Sequence, residues 1–369
     1  MRVLHMIGSL TMGGSQAMIM SLYRAIDRQQ IQFDFVLDTK KEGVYEKEVQ
    51  ELGGRIYYLP KFNGRNVAEV CRAWHKFFRE HPEYKILHSH VRSYASLYLP
   101  IAKKYGLKTI IHSHNTSNGK GLISAGKWML QYPLRYQADY FFGCSEIAGR
   151  WLFGEKIVRS SRYFMLKNAV NTERFSYQPQ LRAQIRSDLG LTETDFVLGH
   201  IGRMHPQKNH CFLIDCFAEI AKKRTDARLM LLGDGELREQ IAEQIQRLGL
   251  EDGVLQLGIR ENPEKYLCAM DCLVFPSLHE GLPVVVVEAQ ASGLPCFVSD
   301  TVTKEVQLSE LVQYLPISQG TTPWINAVVN YVLHRMDVTQ QIKDSGFCVQ
   351  TSVAWLCDFY RNIADQKTN

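Results

Sequence analysis

The chain has no apolar run approaching the ~18–20 residues that a bilayer-spanning helix requires, which argues against an integral membrane protein. It also lacks low-complexity tracts and internal repeats. Of its 369 residues, 45% are hydrophobic and 22% are charged, a balance that excludes a disordered, collagenous or coiled-coil chain. At about 150 residues per domain, this length predicts roughly two globular domains.

Paired cysteines are also missing. The nine cysteines are odd in number and scattered, without the spacing of a zinc site or a disulfide framework, so we expect buried free thiols in a reducing compartment. Residues 1–7 resemble a weak signal peptide, but His5, Gly8, Gly13 and Gly14 interrupt the apolar stretch and favour a strand followed by a turn. We therefore expect a cytoplasmic protein.

Charge is unevenly distributed along the chain. Residues 1–178 contain 26 Lys and Arg against 14 Asp and Glu, a net charge of +12, whereas the remainder contains 17 against 24, a net charge of −7. A basic half can face anionic lipid, nucleic acid or an anionic substrate. Solvated surface lysines explain the same counts, so charge alone leaves these alternatives open.

Short apolar strands alternate with amphipathic helical patterns in both halves. The candidate strands are Val3–Ile7, Phe33–Leu37, Ile56–Leu59, Ile86–His88, Thr109–His112, Tyr140–Cys144, Phe196–Ile201, Arg228–Leu232, Val254–Leu257, Cys272–Phe275 and Pro295–Val298. This alternation is typical of parallel, doubly wound α/β sheets. It predicts two Rossmann-like domains that face one another across a cleft.

The predicted domains are residues 1–178 and residues 179–350. Between them, the polar stretch 175–194 contains Pro179 and is the best candidate for a linker. Residues 351–369 include apolar side chains at helical spacing. The corresponding helix either caps the second domain or packs back on the first.

Functional side chains are expected where strands end, because open α/β sheets bind ligands at the carboxyl ends of their strands. Residues 8–15 place Gly13, Gly14 and Ser15 before a helix whose free N–H groups can hold a phosphate. This segment is neither a G-x-G-x-x-G fingerprint nor a P-loop, and a plain tight turn explains it equally well.

A second polar segment, residues 202–209, directly follows the first strand of the second domain. Arg203 and Lys208 stand five residues apart on a loop that leads into a helix. Two such cations can clamp a diphosphate from two sides. Two exposed surface cations are the alternative.

The segment 280–288 has conflicting local signals. Its valines favour a strand by propensity. In contrast, Pro283 at the first turn, Gly293 at the end and Pro295 just beyond it favour a helix. We predict a helix that continues through Ala291.

This helix gives the segment a chemical arrangement that suits a nucleotide sugar. Glu280 then lies in the preceding loop and Glu288 lies about one turn inside the helix, and both can accept hydrogen bonds from a sugar. The N–H groups of Gly281, Leu282 and Val284 face an anion. A capping carboxylate and a surface glutamate are the alternative.

Histidines cluster after two candidate strands: His88 and His90 follow one, and His112 and His114 follow the other. Metal ligation is conceivable, but no carboxylate or cysteine lies near in sequence to complete a site. We expect His114 alone, at the strand end, to contact substrate, and we expect no bound metal.

Together these segments resemble the family-4 retaining glycosyltransferases of GT-B fold, and among them the bacterial capsular and exopolysaccharide enzymes. The resemblance extends over nearly the whole chain. Its most specific part is residues 275–288, which match the E-x7-E signature of that family. Residues 202–209 resemble its diphosphate clamp. Residues 167–171 resemble the segment before its interdomain linker, with Asn171 where Asp is usual.

The resemblance implies a role for each matched residue. Arg203 and Lys208 would neutralise the donor diphosphate as it leaves. Glu288 would bind the ribose hydroxyls of the nucleotide, Glu280 would hold the transferred sugar, and His114 would contact that sugar. The other donor-binding residues that the resemblance implies are Gly13, Gly14, Ser15, Gly281, Leu282, Val284 and Arg260.

The implied reaction is transfer of a hexose from a nucleotide sugar, with UDP-sugar expected, to a saccharide acceptor that is lipid-linked. Configuration would be retained, and cations and helix N-termini would stabilise the leaving diphosphate. No metal cofactor is expected, since the chain lacks a D-x-D triplet. The basic half would touch anionic lipid at the inner face of the plasma membrane, and no nucleic acid partner is expected.

Two alternatives stay open on the sequence. A nucleotide-sugar epimerase on the same scaffold would convert the donor without an acceptor. A non-catalytic protein that docks on a membrane or nucleic acid would bind in a salt-sensitive way, indifferent to changes at Arg203 or Glu280.

Overall fold

The computed structural model describes residues 1–11, 13–40, 43–114, 122–332 and 334–366. Met12, in the predicted glycine turn, lies outside the described residues. The chain divides into a first unit, residues 1–169 with 349–369, and a second unit, residues 170–348. Within the described ranges, no helix has both the length and the apolar character needed to cross a bilayer.

The first unit is built on a seven-stranded sheet. Its strands are β1 (Arg2–Met6), β2 (Gln32–Leu37), β3 (Ile56–Tyr58), β4 (Ile86–Ser89), β5 (Lys108–Ser113), β6 (Tyr140–Gly143) and β7 (Tyr163–Met165). Neighbouring strands are parallel in the order β3-β2-β1-β4-β5-β6-β7. The direction of winding reverses between β1 and β4, where sheets of this kind bind their ligands.

Helices connect these strands. They are α1 (Gly14–Ala25), α2 (Glu46–Glu51), α3 (Val67–Glu80), α4 (Ala95–Lys104), α5 (Leu122–Gln131), α6 (Leu134–Gln137), α7 (Glu146–Phe153) and α8 (Glu155–Val158). Apolar side chains at helical spacing explain their packing: Met18, Leu22 and Tyr23 of α1 are buried against the sheet residues Val3 and Phe33.

The second unit repeats the plan with a six-stranded parallel sheet in the order β10-β9-β8-β11-β12-β13. Its strands are β8 (Phe196–Ile201), β9 (Ala227–Leu232), β10 (Val254–Gly258), β11 (Cys272–Phe275), β12 (Cys296–Ser299) and β13 (Val312–Leu315). Its helices are α9 (Pro179–Asp188), α10 (His210–Lys223), α11 (Arg238–Arg247), α12 (Pro263–Ala269), α13 (Val284–Ala291), α14 (Thr322–Val329) and α15 (Thr339–Asp344). The predicted helix through Ala291 is confirmed.

The last helix, α16 (Val349–Asp365), belongs to the first unit. Its apolar face carries Leu356, Tyr360 and Ile363, which are buried in the same hydrophobic cluster as Val3 and Phe33 of β1 and β2. The sequence allows this helix to pack on either domain, and in the structure it packs on the first unit.

The division between the units falls after Ala169 rather than after residue 178, and it returns after Cys348 rather than after residue 350. Backbone bonding explains the difference: Val170 pairs with Cys348, and its N–H donates to the carbonyl of Phe347 at 2.7 Å. The ring of Phe175 then packs in the hydrophobic cluster of the second unit.

The stretch 175–194, which the sequence favours as a linker, contains α9 instead. The one fully buried side chain of this helix is an arginine, and its apolar residues Leu181 and Ile185 are only half-buried, so its pattern is polar. Arg186 is only 1% exposed, and its guanidinium lies 3.3 Å from the carboxylate of Asp271, which Arg182 approaches to 2.7 Å. Buried charges that are paired and hydrogen-bonded replace the apolar stripe that sequence patterns detect.

Candidate active site

Two loops meet at the carboxyl ends of the adjacent strands β8 and β11. They are residues 202–209 and residues 276–283. The N–H of Leu278 donates to the carbonyl of Gln207 at 2.8 Å, and the side-chain amide of Gln207 donates to the carbonyl of His279 at 2.7 Å. These bonds hold the predicted clamp loop against the predicted E-x7-E loop.

The structure brings Lys208 and Glu280 into direct contact. The Lys208 ammonium donates to Glu280 Oε1 at 2.6 Å, and their side chains are only 18% and 10% exposed. The same ammonium lies 4.7 Å from the centre of the Phe275 ring. An ion pair with this little exposure is weakly screened and holds both groups in place.

Arg203 lies on the same loop but points to solvent. Its side chain is 69% exposed, and its guanidinium lies 3.7 Å from Glu236 in the loop after β9. The loop after β8 and the loop after β9 approach closely at Gly233, where φ is +127° and a Cβ would stand 2.0 Å from the carbonyl oxygen of Gly202. Only glycine fits this approach.

The start of α13 presents backbone donors. Within the described residues, the N–H groups of Gly281, Leu282 and Val284 form no hydrogen bond, and Pro283 has no N–H. A Cβ on Gly281 would meet no atom within 4 Å, so this backbone is open to a ligand. Free donors at a helix N-terminus attract anions such as phosphate.

Glu288 lies in the second turn of α13 and is partly buried. Burial raises the pKa of its carboxyl to about 7, an effect that Glu264 reinforces and Arg174 opposes. The charge of Arg174 is shared, because its guanidinium pairs with Glu264 at 3.1 Å. A carboxylate held in an unfavourable environment is typical of a functional site.

Several residues near the candidate site belong to no motif that the sequence reveals. His200 of β8 and His210 of α10 lie near Lys208, where burial lowers the pKa of both rings, that of His210 to about 4. Arg174 and Glu264 come from separate segments and carry no motif. Arg260 is exposed and follows β10, two strands from β8, so the structure does not bring it to Lys208 and Glu280.

The first unit has its own polar cavity, of about 720 Å³, at the start of α1. Ser15 and His114 both line it. Three cationic side chains also line it, namely Lys61, Arg92 and Lys127. This cavity combines hydroxyl, imidazole and cationic groups with the carboxylate of Asp38, which lies 3.8 Å from Lys61, and its cationic groups can bind phosphate.

The two glycines at the start of α1, Gly13 and Gly14, contribute backbone and no side chain. Gly13 is the N-cap residue and is extended, with φ −176°, while a Cβ on Gly14 would meet nothing within 4 Å. The Ser15 hydroxyl donates to Gln16 Oε1 at 2.9 Å. The backbone is therefore accessible here, although neither glycine lines the cavity itself.

His114 belongs to a row of histidine rings, of which His5, His88 and His112 are buried and His90 and His114 are half-buried. Its Nε2 lies 2.8 Å from Nδ1 of His90, whose Nε2 lies 3.1 Å from Nδ1 of His5. Burial lowers the pKa of His114 to about 3, with the charge of Arg92 acting in the same direction. The ring is therefore neutral at physiological pH and can both donate and accept hydrogen bonds.

Two doubly wound parallel sheets, each with polar loops at the carboxyl ends of its central strands, define an α/β protein of the GT-B type. HepE of Anabaena, solved in complex with UDP and glucose, shares this fold with a TM-score of 0.73 at 18% identity, over 99% of this chain and 100% of that chain. WaaG, described as a glycosyltransferase involved in lipopolysaccharide biosynthesis, has a TM-score of 0.68 at 14% identity, over the full length of both chains.

Sequence comparison gives the family. A family described as Glycosyltransferase Family 4 matches residues 12–174, and one described as Glycosyl transferases group 1 matches residues 195–320. Putative glycosyltransferase EpsF of Bacillus subtilis is 32% identical over 375 residues, covering 99% of this chain and 97% of that protein. This chain belongs to glycosyltransferase family 4.

A second relative has a more specific description. It is the UDP-Gal:alpha-D-GlcNAc-diphosphoundecaprenol alpha-1,3-galactosyltransferase of Escherichia coli, 26% identical over 286 residues, or 73% of this chain and 72% of that protein. The family membership predicted from the sequence is confirmed, and the alternative of a non-catalytic binding protein loses its support.

Proposed function

We propose that this glycosyltransferase moves a hexose from a UDP-sugar to a lipid-linked saccharide, with retention of configuration, in the synthesis of a capsule or exopolysaccharide. The observation that carries the proposal is the buried contact between Lys208 and Glu280, at 2.6 Å, beside the free N–H groups that open α13. UDP in the solved complex of HepE supports the choice of nucleotide.

In this proposal the residues of the second unit stabilise the leaving group. Lys208 and Arg203 neutralise charge on the departing diphosphate, assisted by the N–H groups of Gly281 and Leu282. Glu280, held by Lys208, accepts hydrogen bonds from hydroxyls of the transferred sugar. These cations and backbone dipoles supply the electrostatic stabilisation, so the transfer proceeds without a metal on the diphosphate.

Glu288 accepts hydrogen bonds from the ribose hydroxyls, and its pKa near 7 makes this interaction sensitive to pH. His114 contacts the sugar, and the accessible backbone of Gly13, Gly14 and Ser15 binds phosphate. Arg260 is proposed to bind the base from the loop after β10.

The acceptor side of the proposal rests on charge and on relatives. Lys61, Arg92 and Lys127 line the cavity of the first unit and can bind an anionic acceptor. The Escherichia coli relative is described as acting on a diphosphoundecaprenol substrate. We therefore propose peripheral contact with anionic lipid at the inner face of the plasma membrane.

Calorimetric titration with UDP, GDP and ADP, first without metal and then with magnesium, tests the donor. We expect metal-independent binding of UDP that Arg203→Ala weakens by about 10- to 100-fold, the range for hydrogen bonds to charged groups. Arg247→Ala is the matched control, because Arg247 is also exposed but lies in the last turn of α11, away from the strand ends.

Different results would separate the remaining possibilities. Conversion of a UDP-sugar to its epimer without acceptor would support the epimerase instead. Absence of binding to all three nucleotides, or equal loss in Arg203→Ala and Arg247→Ala, would contradict the diphosphate clamp.

A further inference from the structure

Five histidine rings stand in a row at the carboxyl edge of the sheet of the first unit. They are His5 on β1, His88 on β4, His90 just after β4, His112 on β5 and His114 just after β5. The parallel register brings them side by side, pairing His5 with His88 directly. The proposed transfer uses only His114, so the other four need a separate explanation.

These rings leave buried nitrogen atoms without partners among the described residues. The unpartnered atoms are Nε2 of His5, Nε2 of His88, both ring nitrogens of His112 and Nδ1 of His114. The side chains of His5, His88 and His112 are at most 2% exposed. Buried polar atoms nearly always have a bonding partner, so such a set indicates a ligand that several imidazole nitrogens can bind together.

Two overlapping trios within the row have ring nitrogens that all lie within 4.8 Å of one another: His5, His88 and His90, and His90, His112 and His114. With metal–nitrogen bonds of about 2.0–2.1 Å in a tetrahedral site, the ring centres of two ligands lie about 5 Å apart. The first trio has ring-centre distances of 4.5, 5.2 and 5.4 Å. The second includes a distance of 4.0 Å, which is too short.

Hydrogen bonding around the rings also favours the first trio. A histidine that binds a metal through one nitrogen usually bonds a protein group through the other. Nδ1 of His88 lies 2.6 Å from the hydroxyl of Tyr360, which leaves Nε2 for a metal. Nδ1 of His90 lies 2.8 Å from His114, which leaves its Nε2 facing His5. His112 has no such support.

The surrounding charges agree with this choice. The carboxylate of Asp34, which also pairs with Arg2, acts favourably on a positive charge at His5. At the other end of the row, the guanidinium of Arg92 repels positive charge at His114. A cation is therefore better placed at the β1 end of the row than at the β5 end.

We propose that His5, His88 and His90 bind one divalent transition-metal ion of the class that prefers imidazole ligands, such as Zn²⁺. Imidazole suits zinc, copper, nickel and iron, whereas magnesium and calcium prefer oxygen. His90 lines the 720 Å³ cavity, which gives the ion an entry path. The sequence predicts no metal because no carboxylate or cysteine lies near the histidine pairs, whereas the structure adds a third imidazole, that of His5 on the first strand.

The test uses the full-length protein, stripped with EDTA and titrated with Zn²⁺ and Co²⁺. We expect one equivalent to bind, with Co²⁺ giving the visible spectrum of a four-coordinate site made by three imidazoles and one water. His5→Gln should weaken binding by more than about 100-fold, because loss of outer-shell partners alone costs about 10–100-fold. Tyr360→Phe, which removes only the hydroxyl near His88, should weaken metal binding by about 10–100-fold. Circular dichroism without metal checks that each variant folds.

His112→Gln is the matched control, since His112 is equally buried and lies in the alternative trio. It should keep the affinity and the Co²⁺ spectrum of the wild type. Absence of binding at one equivalent, or wild-type affinity in both His5→Gln and Tyr360→Phe, would overturn the proposal. Loss of binding in His112→Gln alone would assign the ion to the other trio and overturn it as well. None of these outcomes depends on transferase activity.

Discussion

Lys208→Ala is expected to lower the rate of sugar transfer by roughly 10²–10³-fold, the usual effect of removing one preorganised contact to a developing charge. The ammonium is fixed before substrate arrives, by Glu280 at 2.6 Å and by the Phe275 ring at 4.7 Å. It therefore needs little reorganisation when the diphosphate leaves. Its removal also releases Glu280, which our proposal places on the transferred sugar.

Release of UDP from a panel of UDP-hexoses, with and without saccharide acceptor, measures this effect. Lys222→Ala is the matched control, because Lys222 also contacts a glutamate, Glu219, at 2.6 Å. That pair lies at the far end of α10 and is exposed, with Lys222 at 69%. Exposed pairs of this kind contribute about 0–1 kcal/mol, so the control should leave both rate and stability nearly unchanged.

Other results for Lys208→Ala would contradict the proposed role of this residue. A Lys208→Ala enzyme with a near-wild-type rate would remove Lys208 from the mechanism. If the rate and the thermal stability fell together in proportion, Lys208 would have a structural role, joining the loops after β8 and β11. A fall in rate with unchanged stability would support the proposed charge stabilisation.

Much of the fold is predictable because its parallel strands are buried on both faces and are therefore continuously apolar. β7 and β13 were not predicted, and short length at a sheet edge does not explain this, because β3 has both features and was predicted as Ile56–Leu59. The helix α9 was not predicted because its one fully buried side chain is Arg186, whereas its apolar residues Leu181 and Ile185 are only half-buried. A hydrophobic pattern cannot detect a helix that packs through ion pairs.

Part of the candidate site could be predicted from the sequence and part could not. The sequence identifies Lys208 and Glu280, although they are 72 residues apart, because each follows a strand and carries a motif. What joins them is the adjacency of β8 and β11. Two juxtapositions could not be predicted, namely Arg174 with Glu288 and His5 with His90. Each pair is brought together by the tertiary fold and the strand order, and no local sequence pattern indicates it.

Glu288→Gln is expected to stabilise the folded protein at alkaline pH while weakening nucleotide binding. Burial raises the pKa of the Glu288 carboxyl to about 7. The unfolded carboxyl has a pKa of about 4.3, so between these values the folded state holds the extra proton. Stability therefore falls as pH rises through this window, and the full cost, up to about 4 kcal/mol, is present above about pH 7.

Urea unfolding of both proteins checks the sign. The glutamine variant should be more stable than wild type by up to about 4 kcal/mol near pH 8, with a much smaller difference near pH 5. Glu219→Gln, which changes an exposed carboxylate, should show no such pH-dependent gain. An unchanged or lower stability of Glu288→Gln near pH 8 would mean that the carboxylate is well satisfied in the free protein.

The same carboxylate explains why an unfavourable group persists in the fold. Ribose hydroxyls donate to its charged form, so wild-type affinity for UDP should rise relative to the variant as pH increases through about 7, by about tenfold or more. The β-phosphate of UDP also titrates near pH 6, and comparison with Glu288→Gln at each pH cancels that contribution. Equal UDP affinities at all pH values would exclude Glu288 from the ribose site. A gain in stability paired with a pH-dependent loss of affinity would show that its burial serves binding.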